Sequence, residues 1–278
     1  MRCQRWREHR SSYRPAGEPV DTTKLGVELM DQGPARAFTK RHHYSGSYPA
    51  DRCRVGLYRA RRWVVPELVG VAVFSVPMSQ AVIPKWTGGL YPAQGVELGR
   101  FVLLDDVEAN AETWFLARAF RLMAQLLPEV LSVVSFSDPL EQRGPSGDLL
   151  TPGHVGTIYQ AFNGRHVGRT NRATVIFGPD GRVVSNRTLT KIRRGENGAG
   201  PAVARLEALG APKRHRHECG AEWLHRALDA RSFRRVRHPG NFAYTWPVGD
   251  RRRTRDAREL QLEAKPYPKA EQHLVRAA

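Results

Sequence analysis

The sequence predicts an α/β protein in which helices flank a mixed, twisted sheet and a basic extension follows at the C-terminus. The first observation is the strand "GVELGRFVLLDD", followed by a long helical segment and the buried strand "VLSVVSFSDP". Strand, helix and strand in this order indicate a parallel crossover, and such units place ligands beyond the carboxyl ends of their strands. The second is the pair of β-rich runs "CRVGLYRA" and "ELVGVAVFSVP", which a short link at Arg61 and Arg62 joins as antiparallel partners.

A helix is predicted over residues 33–44, within "GVELMDQGPARAFTKRHHYSG". Pro34 stands in its first turn and Gly46 follows its end, the usual positions of these two residue types about a helix. The polar stretch "KRHHYSGSYP" therefore lies at the C-terminus of this helix. It is either one wall of an active site or a solvated helix end.

The central strand and the elements after it follow from periodicity. In "GVELGRFVLLDD" a period of two would place Leu98, Arg100, Val102 and Leu104 on one face. The next helix begins after Asn110, a favourable N-cap residue, and its apolar residues recur at 115, 119, 122 and 126. Further on, "EQRGPSGDLLTPGH" predicts a loop, and "GPDG" predicts a hairpin turn between β-branched runs.

The charge and composition of the chain narrow its classes of partner. Lys and Arg number 44 against 27 Asp and Glu, and the net charge of +17 favours polyanions, nucleic acid first. The most apolar run, residues 68–78, is far too short to span a membrane, so no membrane partner is expected. The N-terminus has no apolar signal segment, and the three cysteines are scattered, so we expect a cytoplasmic, reducing location.

Polar residues in or beside apolar strands are the first candidates for chemistry. Arg100 interrupts an apolar strand face, where a guanidinium needs a carboxylate, a phosphate or a developing oxyanion. Asp138 follows the second parallel strand, with Ser137 beside it, and could accept a proton or orient a histidine. The alternatives are a structural ion pair for Arg100 and a turn-capping role before Pro139 for Asp138.

Imidazole and phenol side chains supply the remaining candidates. His43 could act as a general base or a metal ligand and Tyr44 as a hydrogen-bond donor, although the helix dipole alone favours a histidine at a helix C-terminus. Tyr159, in "GTIYQAFN", is either a site residue or part of the core. The tail sequence "HRHECGAEWLH" contains metal-ligand types, but its spacing matches no standard zinc site.

Taken in order along the chain, these segments resemble those of a known protein family, although no single motif is specific enough to show it. A helix ending in "HYSGS", then "VGLYR", "LVGVAVFSVP", "VELGRFVLLDDVEANAETWFLARAF", "VVSFSDP" and "GTIYQAFNG", resembles the Mom family of phage DNA-modification proteins. That family looks like a divergent branch of the GNAT acetyltransferase fold. The resemblance covers roughly residues 33–195, and "RHPGNFAYTWPV" and "KPYPK" in the tail are similar to extensions on phage relatives.

The resemblance implies a fold, an activity and a set of site residues. The fold is a GNAT-like mixed twisted sheet flanked by helices. The activity is modification of adenine at its exocyclic N6 amine in double-stranded DNA, with a carbamoylmethyl-type group that protects phage DNA from restriction in the bacterial cytoplasm. The family's essential residues fall on His43, Tyr44, Arg100, Asp138 and Tyr159. Ser137, the neighbour of Asp138, joins them as a candidate catalytic residue.

Three regions are predicted along the chain. Residues 1–24 are a basic flexible arm, residues 25–198 are the GNAT-like catalytic domain, and residues 199–278 are a basic C-terminal extension that docks on the core. The boundary near 198 lies in the Gly-rich "RRGENGAGP". The extension includes a predicted basic helix around "RRRTRDARELQLEA".

The group donor stays open between several alternatives. GNAT enzymes bind the pyrophosphate of acyl-CoA through a Gly-rich loop whose backbone N–H groups approach the phosphates. This chain has Asp105, Asp106 and Glu108 in that loop, which disfavours ordinary coenzyme A binding. An acyl-CoA, a glycine-like donor, or iron bound through His43 are the alternatives.

The expected partner is double-stranded DNA, held through its phosphates. The basic residues assigned to this contact are Lys40, Arg41, Arg165, Arg169, Arg172, Lys191, Arg193 and Arg194. Two other functions remain as alternatives: a conventional GNAT N-acyltransferase on a protein or small-molecule amine, and a non-catalytic DNA-binding protein.

Overall fold

The computed structural model describes residues 3–7, 10–14, 20–229, 232–250, 252, 261–269 and 275–276. The predicted basic helix around residues 251–264 lies mostly outside the described residues. The described strands are β1 (Cys3–Arg7), β2 (Arg10–Arg14), β3 (Leu25–Leu29), β4 (Asp51–Arg61), β5 (Val64–Ser75), β6 (Gly95–Leu103), β7 (Ser132–Ser137), β8 (Leu140–Arg143), β9 (Leu149–Thr151), β10 (Arg165–Arg169), β11 (Ala173–Phe177), β12 (Val183–Val184), β13 (Arg234–His238), β14 (Phe242–Pro247) and β15 (Val275–Arg276). The helices are α1 (Gln32–His42), α2 (Val82–Trp86), α3 (Ala111–Leu126), α4 (Thr157–Ala161), α5 (Asn186–Arg194), α6 (Ala199–Ala208) and α7 (Gly220–Asp229).

A seven-stranded sheet organises the larger part of the molecule, in the order β10-β14-β7-β6-β5-β4-β3. Strands β6 and β7 run parallel, as the predicted crossover through α3 requires, and the other neighbours are antiparallel. The predicted mixed α/β class and the antiparallel pairing of β4 with β5 are therefore confirmed. None of the described helices is both long and apolar enough to cross a membrane.

Helices cover both faces of this sheet. On one face α3 buries Phe115, Ala119 and Met123 against the sheet in the largest apolar cluster. On the other face α1 buries Ala35 and Phe38. The predicted apolar stripe of α3 is wrong at its last position, because residue 126 ends the helix and its side chain is 48% exposed.

The predicted alternation along β6 is also wrong, because one extra residue interrupts it. Val73 pairs with Arg100 and the next residue of β5 pairs with Leu98, so Gly99 has no partner of its own and forms a β-bulge. Leu98 therefore packs in the cluster under α3, whereas Val102 packs in the cluster under α1. Arg100 lies on the α1 side, and Leu98 and Arg100 do not share a face.

The parallel ladder between β6 and β7 is short. It joins Gly95–Glu97 to Ser132–Val134, although both strands continue beyond these residues. Just past its end the Oγ of Ser135 donates to the Leu98 carbonyl at 3.0 Å. The sheet is thus open between the far ends of β6 and β7, close to the bulge.

The structure divides the chain into two compact units. The first comprises Met1–Asp138, His154–Thr170 and Asn241–His273, and the second comprises Pro139–Gly153, Asn171–Gly240 and Leu274–Ala278. This division differs from the linear boundaries predicted at 24 and 198. In the first unit β14, from the predicted extension, is an inner strand of the large sheet, and β1 and β2 of the predicted arm pair as a hairpin.

The second unit has its own core. Helices α5, α6 and α7 pack around Ile192, Leu206 and Trp223. The sheet β12-β11-β13 includes the predicted "GPDG" hairpin between β11 and β12. Strands β8 and β9 form an antiparallel pair where the sequence predicted a loop. The Gly147 turn, with φ of 81°, supplies the reversal that pairs them.

Replacing Gly156 by alanine should destabilise the protein through the core under α4. Gly156 has φ of 78°, and a Cβ there would lie 2.7 Å from a ring carbon of Tyr244 and 2.9 Å from one of Tyr159. We expect the free energy of unfolding in urea to fall by about 1–2 kcal/mol from the left-handed backbone and by about 1–3 kcal/mol more from the steric overlap.

Gly46→Ala is the matched control, because Gly46 has φ of 56° and no described atom lies within 4 Å of the added Cβ. In this variant the free energy of unfolding should fall only by the cost of the left-handed backbone, about 1–2 kcal/mol. Equal losses in the two variants would contradict the packing of both tyrosines against Gly156.

Candidate active site

The candidate site lies in the first unit, where the ladder between β6 and β7 ends. His43 and Tyr44 follow α1, Arg100 leaves the bulge of β6, Asp138 follows β7, and Tyr159 lies on α4. The rings of His43 and Tyr44 are 4.2 Å apart between centroids. The positive charge of Arg100 lowers the pKa values of His43, Tyr44 and Tyr159. The negative charge of Asp138 raises the pKa of Tyr44. The structure therefore brings five of the predicted catalytic residues into one neighbourhood.

His43 forms the C-cap of α1, and its ring is oriented by the loop that follows. Its backbone N–H donates to the Thr39 carbonyl at 2.9 Å. Its Nδ1 accepts the Ser45 backbone N–H at 3.2 Å and lies 2.9 Å from the Ser45 hydroxyl. Burial lowers the pKa of His43 to about 3, with further lowering by Arg100 and His154. A neutral ring whose Nδ1 accepts carries its proton on Nε2, so the geometry favours a hydrogen-bond donor over the predicted general base.

The two tyrosines remain protonated phenols. Burial raises the pKa of Tyr44 well above its usual range, Tyr159 and Asp138 raise it further, and Arg100 opposes the shift. Burial likewise raises the pKa of Tyr159, against a hydrogen bond with Ser135. Both side chains are half-buried, so each presents a neutral hydroxyl at the edge of the core.

Arg100 is held by the same loop that orients His43. Its Nε donates to the Ser47 carbonyl at 3.0 Å and one terminal nitrogen donates to the Ser47 hydroxyl at 2.7 Å. Burial lowers the pKa of Arg100, and the nearby Tyr44 and Glu97 raise it. Since a guanidinium cannot be deprotonated in a protein, Arg100 is a fixed positive charge in a half-buried place.

Asp138 and Ser137 complete the end of β7. The Asp138 backbone carbonyl accepts a hydrogen bond from the His154 backbone N–H at 2.8 Å. The negative charge of the Asp138 side chain raises the pKa of Tyr44. Ser137 is fully buried, and its Oγ has no hydrogen-bond partner among the described residues. Such an orphaned buried hydroxyl is unusual in a folded protein.

Three residues of this neighbourhood are absent from the sequence prediction. The Nε2 of His154 lies 3.2 Å from the Tyr44 hydroxyl, Ser47 holds Arg100, and Glu97 lies near Arg100 with its pKa raised by burial. Glu97 carried a signal that could have been found, because it is a carboxylate inside an apolar strand. His154 follows an unremarkable Pro-Gly turn, and no local pattern connects it to Tyr44.

The predicted phosphate contacts divide between the two units. Lys40 and Arg41 are exposed at the end of α1, next to His43, and Arg165 and Arg169 lie on β10 of the same unit. The guanidinium of Arg169 covers the Phe242 ring at 4.3 Å. The remaining four belong to the second unit: Arg172, Lys191, Arg193 and Arg194.

The residues before α3 do not fit the pyrophosphate of an acyl-CoA. Asp105, Asp106 and Glu108 occupy this loop, and Asp106 accepts a hydrogen bond from Arg59 at 2.8 Å. Phosphates would face carboxylates where backbone N–H groups are needed. Iron lacks a ligand set as well, since no three His, Cys, Asp or Glu side chains in the described part of the chain are grouped to hold a metal ion.

His43 should stay neutral in the folded protein between about pH 8 and pH 5. Its folded pKa lies below the ordinary value of 6.5, so only the unfolded state takes up this proton as the pH falls. The contribution of His43 to the free energy of unfolding is fully present above pH 6.5 and is lost progressively as the pH falls towards about 3, the pKa of His43 in the folded protein. The measurement is the NMR titration of the His43 ring, assigned by comparison with His43→Gln. An inflection near pH 6.5 would contradict the burial of this ring.

Comparison with known proteins places the chain in one family. The Mom protein family matches residues 24–269. Among solved structures, one similar chain is a tandem GNAT protein from the clavulanic acid biosynthesis pathway, determined without AcCoA. It has 8% sequence identity and a TM-score of 0.41, and the match covers 81% of this chain and 99% of that one. The comparison with curated proteins gives no match. Since the family match spans well over half of its length, this chain belongs to the Mom protein family.

Proposed function

We propose that this protein is a DNA-modification enzyme that adds a carbamoylmethyl-type group to the exocyclic N6 amine of adenine in double-stranded DNA. The observation that carries the proposal is the grouping of Arg100, Asp138, His43, Tyr44 and Tyr159 at the opening between β6 and β7. Membership of the Mom family supports DNA modification as the class of activity. The biological role that fits this activity is protection of phage DNA from restriction.

The charge of the chain suits a DNA substrate. The net charge is +17, and Lys40 and Arg41 are exposed in the last turn of the helix that ends at His43. Phosphates bound by Lys40 and Arg41 would lie at the end of α1, next to the candidate active site. The adenine must leave the base stack to reach it, at a cost of a few kcal/mol.

The neutral aromatic side chains suit an extruded base. Tyr44 and Tyr159 offer ring faces for stacking and hydroxyls that hydrogen-bond without introducing charge. The Nε2–H of His43 is a further donor. Since an adenine edge is uncharged and presents both donors and acceptors, these neutral polar groups suit it as hydrogen-bond partners.

Asp138 and Arg100 suit the chemical step. The reaction forms a bond between N6 and a carbon of the donor, while the donor's leaving group departs with the electron pair of the broken bond. The proton lost by N6 passes to Asp138, the carboxylate at the end of β7. Arg100, kept charged and oriented by Ser47, pairs with a carbonyl or carboxyl oxygen of the donor.

Expression in bacteria should produce a deoxyadenosine of increased mass in the total DNA. The measurement is mass spectrometry of the digested nucleosides. Asp138→Asn keeps the size of the side chain but removes the proton acceptor, so we expect the modified nucleoside to fall by about 100-fold or more. Asp148→Asn, which alters a carboxylate in the second unit, is the control and should leave the yield unchanged. Unaltered nucleosides from well-expressed wild type would contradict the proposed activity.

Binding to duplex DNA should depend steeply on salt. If about six phosphates are neutralised, the affinity falls roughly a thousandfold between 50 and 200 mM salt. Fluorescence anisotropy with a labelled duplex measures this dependence. Asp138→Asn should bind at least as tightly as wild type, because it removes a negative charge. A flat response to salt would argue against duplex DNA as the substrate.

A further inference from the structure

His154 contacts the Tyr44 side chain from a distant part of the sequence. Its Nε2 lies 3.2 Å from the Tyr44 hydroxyl oxygen, and the two rings meet edge to face with their centroids 6.1 Å apart. The His154 backbone N–H donates to the Asp138 carbonyl at 2.8 Å. The Tyr159 ring also packs edge to face against the imidazole, at 6.3 Å between centroids. These contacts hold His154 in place, so the fold itself sets its hydrogen bond to Tyr44.

The hydrogen bond between these two side chains has two possible directions, and one is favoured. Burial lowers the pKa of His154, while the charge of Asp138 opposes this shift. The ring is therefore neutral at pH 7, with one nitrogen that donates and one that accepts. Burial raises the pKa of Tyr44, which keeps its hydroxyl proton. Since an imidazole nitrogen is a much stronger base than a phenol oxygen, the Tyr44 hydroxyl donates and the His154 Nε2 accepts.

The direction of this bond determines what the Tyr44 oxygen offers to a substrate. A phenol has one hydrogen to donate, and its oxygen also accepts. With the hydrogen directed at His154, only the lone pairs of the Tyr44 oxygen are left for another partner. The charges of Arg100 and Asp138 both act on this hydroxyl, so it belongs to the candidate active site. An oxygen of this kind pairs with an N–H group and is repelled by a carbonyl oxygen.

We propose that His154 is a positioning residue that makes the Tyr44 hydroxyl an acceptor for the N6 amine of adenine. This inference rests on the proposed function and deepens it at the same site. The N6 amine carries two hydrogens: one leaves as the proton that Asp138 takes, and the Tyr44 oxygen accepts a hydrogen bond from the other. Guanine and hypoxanthine carry a carbonyl oxygen at the corresponding carbon, so Tyr44 held by His154 favours adenine over both.

The first test locates the proton and needs no enzymatic activity. In the full chain labelled with ¹⁵N, the imidazole nitrogens of His154 are assigned by comparison with His154→Gln. At pH 7 the Nε2 signal should be that of an unprotonated nitrogen that accepts a hydrogen bond. Tyr44→Phe removes the donor and should shift this signal. A protonated Nε2 in the wild type would make Tyr44 the acceptor of the bond and would overturn the proposal.

The second test measures the yield of modified deoxyadenosine in bacterial DNA. His154→Leu removes the acceptor, and we expect the yield to fall roughly tenfold, the effect of one lost hydrogen bond. His154→Gln keeps a side-chain oxygen that can accept the phenol hydrogen, so its yield should stay within about threefold of wild type. His217→Leu, at an exposed position of the second unit, is the matched control and should give the wild-type yield.

A double variant distinguishes positioning of Tyr44 from a general structural role. If His154 acts through the Tyr44 hydroxyl, adding His154→Leu to Tyr44→Phe should cause no further loss of yield. A further loss, or a yield of His154→Gln as low as that of His154→Leu, contradicts the proposal. The NMR test and His154→Gln remain decisive even where His154→Leu folds poorly. Wild type that produces no modified deoxyadenosine contradicts the proposed function instead, and the NMR result still gives the direction of the hydrogen bond.

Discussion

The candidate site depends on the unpaired residue at Gly99. An ordinary strand would keep Arg100 on the same face as Leu98, in the apolar cluster under α3, where a guanidinium is costly. The bulge turns Arg100 to the side of α1, within reach of the loop after that helix. A Cβ at Gly99 would lie 2.3 Å from the Ser75 hydroxyl oxygen, so a side chain at the bulge would force the buried Ser75 side chain to move. The same interruption coincides with the end of the ladder to β7, which opens the sheet beside Arg100.

Burial gives the site its electrostatic character. It lowers the pKa of His43 and raises the pKa values of Tyr44 and Tyr159, so all three side chains are uncharged near neutral pH. Arg100 keeps its charge, and its donors reach oxygen atoms of Ser47. A fixed cation among neutral polar groups in a poorly solvated place interacts strongly with negative charge that develops during a reaction. Ser137, with its unsatisfied buried hydroxyl, adds a donor to the same end of β7.

Local patterns predicted the elements, and long-range pairing decided the details of the site. Helix α3 and the crossover were predictable because apolar periodicity acts within a few residues. The predicted N-cap Asn110 does precede α3, but its side chain makes no capping hydrogen bond. Arg100 was recognised as a polar residue in an apolar strand, but its face depends on a bulge that appears only in the pairing with β5. His154 reaches Tyr44 through a contact between residues 110 positions apart, which no short pattern encodes. The place of β14 inside the sheet is likewise set by pairing with β7 and β10.

The distribution of charge within the first unit distinguishes the two helix ends beside the sheet. The N-terminus of α3 is the end whose dipole favours an anion, yet Asp105, Asp106 and Glu108 stand before it and Arg59 bridges Asp106 to Glu67. The C-terminus of α1 carries Lys40 and Arg41, which its dipole favours, and these cations lie in the last turn before His43. The positions of these charges therefore favour a polyanion at the end of α1 over the start of α3. A donor recognised through phosphates at α3 would have to displace the Arg59 bridge, whereas the proposed small donor with a carboxyl or carbonyl group would pair with Arg100 and leave that bridge intact.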